Sequence, residues 1–196
     1  MIVVLDYGIN NLRSVEKAIQ FLGFECRVQE NLGGASKVII PGVGAFSKAM
    51  ERLEPLRNEI CAFANSGQPL LGICLGQQLL FDRSDEFGDT VGLGLIPGQV
   101  RYLPPASGLK IPHMGWSEVA FTPQSLLGKH IATGDRVYFV HSLYTECADP
   151  NDVAATTTYG IQFASAVQRG NIWGTQFHPE KSGAVGLQIL RNFLEC

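Results

Sequence analysis

Gly72-Ile73-Cys74-Leu75-Gly76 sets a cysteine at the end of the apolar run Pro69-Leu70-Leu71, with one glycine two residues to either side. That is the spacing of a nucleophile elbow, in which a strand turns sharply into a helix and holds its reactive side chain above a sheet, here with sulfur in place of oxygen. The glycines permit the reversal, and the following helix would aim its N-terminal dipole at the thiolate. A lone cysteine is otherwise a small buried hydrophobe. Two glycines at elbow spacing favour the nucleophile.

A nucleophilic thiol needs a base, and the chain has four histidines. His178 is the first choice: it lies just past the strand read over Ile172 to Gln176, and Glu180 stands two residues on, so an extended segment would put both side chains on one face. Glu180 could then orient the imidazole. Pro179 restricts the backbone between them. His141, ending Tyr138-Phe139-Val140, is the second choice as base and better suited to shaping the site. His113 sits among apolar residues in Ile111 to Trp116 and His130 in a polar loop, neither beside a carboxylate.

Acyl transfer also needs donors for an oxyanion. The amide of Leu75, just after the nucleophile, is one. The turn Pro41-Gly42-Val43-Gly44 could supply another from Val43 or Gly44, and its glycines would permit a peptide flip that completes the hole only when ligand or partner arrives. As an alternative it is an ordinary strand-to-helix turn.

These residues must be carried by elements. Ile2 to Leu5 reads as a buried strand, Leu12 to Leu22 as a helix stopped by Gly23, Phe24 to Val28 and Lys37 to Ile40 as strands, 45–66 as helix, and Leu70 to Ile73 as the strand entering the elbow. Strand and helix alternating predict an α/β fold with a central, mostly parallel sheet flanked by helices, and ligands beyond the carboxyl ends of its strands. The second half is richer in β-prone runs: Gln99 to Leu103, Trp116 to Phe121, Val137 to Val140, Val153 to Thr158, Phe163 to Gln168 and Ile172 to Gln176. We read them as antiparallel hairpins added to the sheet, with Ala184 to Leu194 a closing helix.

The 196 residues suit one domain, 1–196, and no linker or repeat divides them. A net charge of -3 leaves no electrostatic footprint for nucleic acid or an anionic membrane, so the expected substrate is a small molecule. Five cysteines without a CxxC pair or zinc spacing imply no metal and a reducing, cytoplasmic setting. MIVVLDYG is neither signal peptide nor membrane span. Gly128-Lys129-His130 lacks the rest of a phosphate loop, and no GxGxxG follows a strand, so no nucleotide cofactor is expected.

Cys74 followed by the His178 and Glu180 pair resembles the class I (triad) glutamine amidotransferases. Further blocks span nearly the whole chain: Asp6 to Val15, Pro41 to Phe46, Gly72 to Phe81, Gly92 to Val100, Ile111 to Trp116, Tyr138 to Ser142 and Gln176 to Ser182. Together they are similar to the glutaminase subunits of imidazole glycerol phosphate synthases. The resemblance implies that Cys74 attacks the carboxamide of glutamine, His178 protonates the leaving ammonia, and Glu180 orients His178. It implies that Gln78 and Glu86 hold the amino-acid end of glutamine and Ser142 its carboxylate. It also implies a heterodimer with a (β/α)-barrel cyclase that receives the ammonia and works in histidine biosynthesis. Asn11, Trp116, Tyr138 and Lys181 would face that partner. The chain departs from the family pattern at Asn10, Gln77 and Ser117, which leaves open a paralogue feeding another acceptor, such as a sugar; and because an elbow triad alone does not choose an acyl substrate, a stand-alone cysteine hydrolase is a further alternative.

Overall fold

A computed structural model describes residues 1–9, 11–105 and 108–196. The first half runs β1 (Ile2–Leu5), α1 (Leu12–Phe21), β2 (Cys26–Gln29), β3 (Lys37–Ile40), α2 (Phe46–Leu53), α3 (Arg57–Asn65), β4 (Leu70–Ile73) and α4 (Leu75–Leu79). Strands then dominate: β5 (Phe81–Ser84), β6 (Thr90–Val91), β7 (Ile96–Tyr102), β8 (His113–Glu118), β9 (Ala120–Phe121), β10 (Arg136–His141), β11 (Leu143–Cys147), β12 (Val153–Tyr159), β13 (Ile161–Arg169) and β14 (Ile172–Thr175), before α5 (Gly183–Glu195).

The centre of the large sheet is parallel, in the order β2, β1, β3, β4, β14; antiparallel pairing extends it through β13 and β11 to β7, beside which β5 runs parallel. Every residue of β1 and β4 is buried, as expected of strands covered on both faces. Alternate side chains feed two cores. Ile2, Val4, Ile39 and Leu71 meet α1 and α5 on one face; Val3, Leu5, Ile40 and Leu70 meet Phe46, Met50 and Ile60 on the other.

The α/β class and its parallel centre follow the sequence reading, with local differences. The helix expected over 45–66 is two, α2 and α3, separated by a 3-10 turn at Glu54–Leu56, because Pro55 has no amide to continue the ladder. The strand expected from Phe24 begins at Cys26. The run expected over Trp116 to Phe121 divides into β8, which begins at His113, and β9. β8 pairs with β10 in a separate two-stranded sheet, so not every hairpin joins the main one. Among the described residues no helix is long and apolar enough to cross a membrane.

Parallel pairing positions the site. β14 runs beside β4 with Thr175 opposite Ile73, and the Cys74 amide continues the ladder to the Thr175 carbonyl at 2.7 Å. Cys74 therefore leaves the sheet beside the segment that delivers His178.

Candidate active site

Cys74 has φ 56° and ψ -108°, a conformation that costs a residue with a Cβ about 1–3 kcal/mol and recurs at functional turns. The flanking glycines serve close approach. A Cβ on Gly72 would overlap the backbone at Gly76 and Gln77, and one on Gly76 would overlap the Ile40 carbonyl of β3. Both glycines let α4 lie directly on the sheet. The helix has only five residues, so the sulfur faces one turn of aligned peptides.

His178 and Glu180 have side chains that are 0% exposed, with Nδ1 and Oε1 2.8 Å apart. Pro179 opens a 3-10 turn, Pro179–Lys181, in place of the extended segment expected from sequence, since its fixed φ suits the first position of a helical turn. His178 Nε2 is buried without a hydrogen-bond partner among the described residues, a free valence on the imidazole edge opposite Glu180. Burial alone would depress the imidazole pKa, but Cys74 and Glu180 outweigh it, and the net result is a rise to about 9. His178 thus carries a proton at neutral pH. We expect kcat/KM for the reaction served by Cys74 to hold through neutral pH and to fall as pH rises through about 9, where that proton is lost. An alkaline limb near an ordinary imidazole pKa would contradict this coupling.

Cys74, Val43, Gly44, Leu75, Gln78, Glu86, His141 and Ser142 line one cavity of about 300 Å³. The structure thus brings together every residue expected to form the oxyanion hole and bind substrate. Glu86 is half-buried, its Oε2 accepting from the Phe46 amide at 2.5 Å. Gln78 Nε2 donates to Gln176 Oε1 at 3.0 Å and to the Leu143 carbonyl at 3.4 Å.

His141 borders the cavity but is committed elsewhere. The Leu143 carbonyl 2.6 Å from its Nδ1 can only accept, so Nδ1 carries the proton. Nε2 then accepts from His113 Nδ1 at 3.0 Å, and His113 Nε2 from the Ser117 hydroxyl at 2.8 Å. Burial holds both imidazoles neutral, lowering the pKa values to about 3 and about 4. His141 therefore has no free lone pair with which to serve as base. His113 is stacked on Tyr159 and Phe139, with ring centroids 3.9 and 4.7 Å away. His130 is exposed in a loop.

Of the residues expected to face a partner, Trp116 and Lys181 are exposed, and Tyr138 is half-buried opposite Trp116 in the β8–β10 ladder. Asn11 is half-buried with its amide on Glu180 Oε1 at 2.7 Å. Asn10 lies outside the described residues. The other departures from the family pattern are accommodated: Gln77 Nε2 donates to Thr145 Oγ1 at 2.9 Å, and Ser117 donates to His113.

Besides Asn11, three residues have contacts at the site for which no role was expected from sequence. Gln176 Nε2 points at Cys74 Sγ from 3.8 Å, a placement that motif spacing hints at because Gln176 precedes His178 by two. The Tyr7 hydroxyl donates to the Pro41 carbonyl at 2.7 Å and abuts Gly42, bracing the 41–44 turn. The Ser182 hydroxyl accepts from the Tyr138 amide at 2.9 Å and donates to the His178 carbonyl at 2.6 Å. Neither of the last two has a sequence signal.

The arrangement suits nucleophilic acyl transfer at a small substrate, with a buried acid and base behind the nucleophile. Among the described residues no three His, Cys, Asp or Glu side chains converge to hold a metal ion.

Comparison with known proteins agrees. The family model "Glutamine amidotransferase class-I" matches residues 3–196. The chain is 50% identical to the imidazole glycerol phosphate synthase subunit HisH of Lacticaseibacillus casei (strain BL23), covering 100% of this chain and 95% of that one. It is 49% identical to HisH of Methanosarcina mazei, covering 99% and 98%. A crystal structure of a glutamine amidotransferase superposes with a TM-score of 0.77 at 19% identity over 99% and 97% of the two chains. PurLQS from Thermotoga maritima gives 0.75 at 21% over 99% and 96%.

Proposed function

The chain belongs to the class I glutamine amidotransferase family, and on that premise we propose that it is the glutaminase subunit of an imidazole glycerol phosphate synthase in histidine biosynthesis. The observation that carries the chemistry is Cys74, strained at the floor of a small cavity, beside an imidazole whose free nitrogen and raised pKa make it a proton carrier.

In this reading Cys74 Sγ attacks the side-chain carbonyl carbon of glutamine while the oxyanion is held by amides from Val43, Gly44 and Leu75. The carbon–nitrogen bond breaks as the His178 Nε2 proton passes to the leaving nitrogen, giving ammonia and a thioester. Neutral His178 then takes a proton from water, whose oxygen attacks the thioester; the carbon–sulfur bond breaks, glutamate leaves, and the thiolate is restored beside protonated His178. Glu180 holds the imidazole throughout. Gln78 and Glu86 receive the amino-acid end of glutamine and Ser142 its carboxylate, with Glu86 opposite the α-ammonium.

Ammonia released into water would protonate and diffuse away, so the reaction serves synthesis only when the product enters an acceptor directly. The acceptor in this reading is a (β/α)-barrel cyclase bound as a heterodimer, which uses ammonia to make imidazole glycerol phosphate and an aminoimidazole carboxamide ribotide. Trp116, Tyr138, Lys181 and the turn at Asn11 face it. Residues 1–196 act as a single amidotransferase domain, working in a reducing cytoplasm with no cofactor of its own.

The deciding experiment is glutamate release from glutamine by the purified chain, alone and with that cyclase plus its ribotide. We expect a low rate alone and a marked rise with the liganded cyclase, because the Gly42 to Gly44 turn completes the oxyanion hole on assembly. Glutamate release indifferent to the cyclase would assign the ammonia to another acceptor.

A further inference from the structure

Asn11 immediately precedes α1 and has left-handed backbone geometry, φ 87° and ψ 8°. An asparagine at that position ordinarily turns its side-chain oxygen onto the first free amides of the helix. Asn11 makes no such bond. Its amide nitrogen reaches instead to Glu180 Oε1 at 2.7 Å, the same oxygen that meets His178 Nδ1 at 2.8 Å. Glu180 Oε2 is buried and unpartnered among the described residues. Asn11 and His178 are therefore the two donors shown for a carboxylate fully withdrawn from water, where uncompensated charge is costly.

We propose that Asn11 is a positioning residue for the triad, acting through Glu180 on His178; the proposal rests on the glutaminase reading above. Two donors on one oxygen hold the carboxylate against rotation about its terminal bond, so that Oε1 stays on Nδ1 and the imidazole keeps its place near Cys74. Without the amide, Glu180 can turn its bare oxygen toward His178 and take the imidazole with it. The donor costs α1 its cap, so the local structure gives up helix stability for the contact.

Two variants separate this role from a backbone one. Asn11→Gly keeps the left-handed geometry, which glycine adopts freely, and deletes the donor. Asn11→Asp keeps the shape, tolerates the same backbone, and replaces the donor with an acceptor facing Glu180. In the complex with the cyclase and its ribotide, we expect kcat for glutamine to fall about ten- to a hundredfold in Asn11→Gly, with KM within about twofold, as when a group orienting a functional histidine is lost. Asn11→Asp should fall further. Thermal melting of each variant checks that it is folded, and Asn11→Gly decides alone if Asn11→Asp is not. Parent-like kcat in Asn11→Gly, or a raised KM with kcat unchanged, overturns the proposal. If the parent complex itself releases no glutamate, the glutaminase reading fails instead.

Discussion

Replacing Cys74 with alanine removes glutamate release from glutamine, by about a millionfold or to below detection, the scale on which a covalent nucleophile is lost. The same variant, assembled with the cyclase and given ammonium at alkaline pH, still supports synthesis of imidazole glycerol phosphate, because the acceptor site needs ammonia and not its source. Equal glutaminase rates in variant and parent would sink the assignment of Cys74. The backbone at this position adds a second readout. Alanine retains the Cβ that makes φ 56° unfavourable, whereas glycine removes it. Cys74→Gly should therefore be as inactive as Cys74→Ala but more stable, by about 1 kcal/mol, in urea denaturation. Equal stability of the two variants would mean that the elbow carries no strain.

Gly76→Ala should cost about a hundredfold in rate although position 76 touches no reacting atom. A methyl group there enters the space of the Ile40 carbonyl, which belongs to β3 and has no rotamer by which to yield. α4 must lift from the sheet, carrying the Leu75 amide and the Cys74 backbone with it. A displacement near 1 Å in a catalytic constellation costs about a hundredfold in rate, and overpacking of this kind destabilises by about 1–3 kcal/mol. Both losses are read by glutamine turnover and thermal melting of the same preparation. Turnover within twofold of the parent, with an unchanged melting temperature, would show that α4 does not rest on β3 as described.

The site was legible in unequal parts. Cys74 was visible because an elbow is a local device, with strand, glycines and nucleophile adjacent in the chain. The pairing of His178 with Glu180 was visible for the same reason, although a 3-10 turn, not an extended run, brings them together. Asn11 on Glu180 was not visible, because 169 residues separate them and an asparagine before a helix reads locally as a cap. His141 looked like a possible base. What removes it from that role is a chain of bonds through His113 to Ser117, created by the antiparallel pairing of β8 with β10. The split between α2 and α3 was available in principle from Pro55, whose missing amide no tertiary contact can restore.

By itself the sequence determined what depends on near neighbours and periodicity: buried strands alternating with helices, the elbow at Cys74, and the adjacency of His178 and Glu180. The tertiary structure decided what depends on register. Only the parallel pairing of β4 with β14 sets Cys74 beside Gln176 and close to His178, although about a hundred residues of chain intervene. Only the packing of α4 on β3 makes Gly76 irreplaceable, and only the turn into α1 carries a neutral donor to the buried charge of Glu180. Hydrophobic patterning specifies which face of each element is covered. Which polar groups then meet is settled by hydrogen-bond register and backbone contact between elements distant along the chain, and those are properties of the assembled fold.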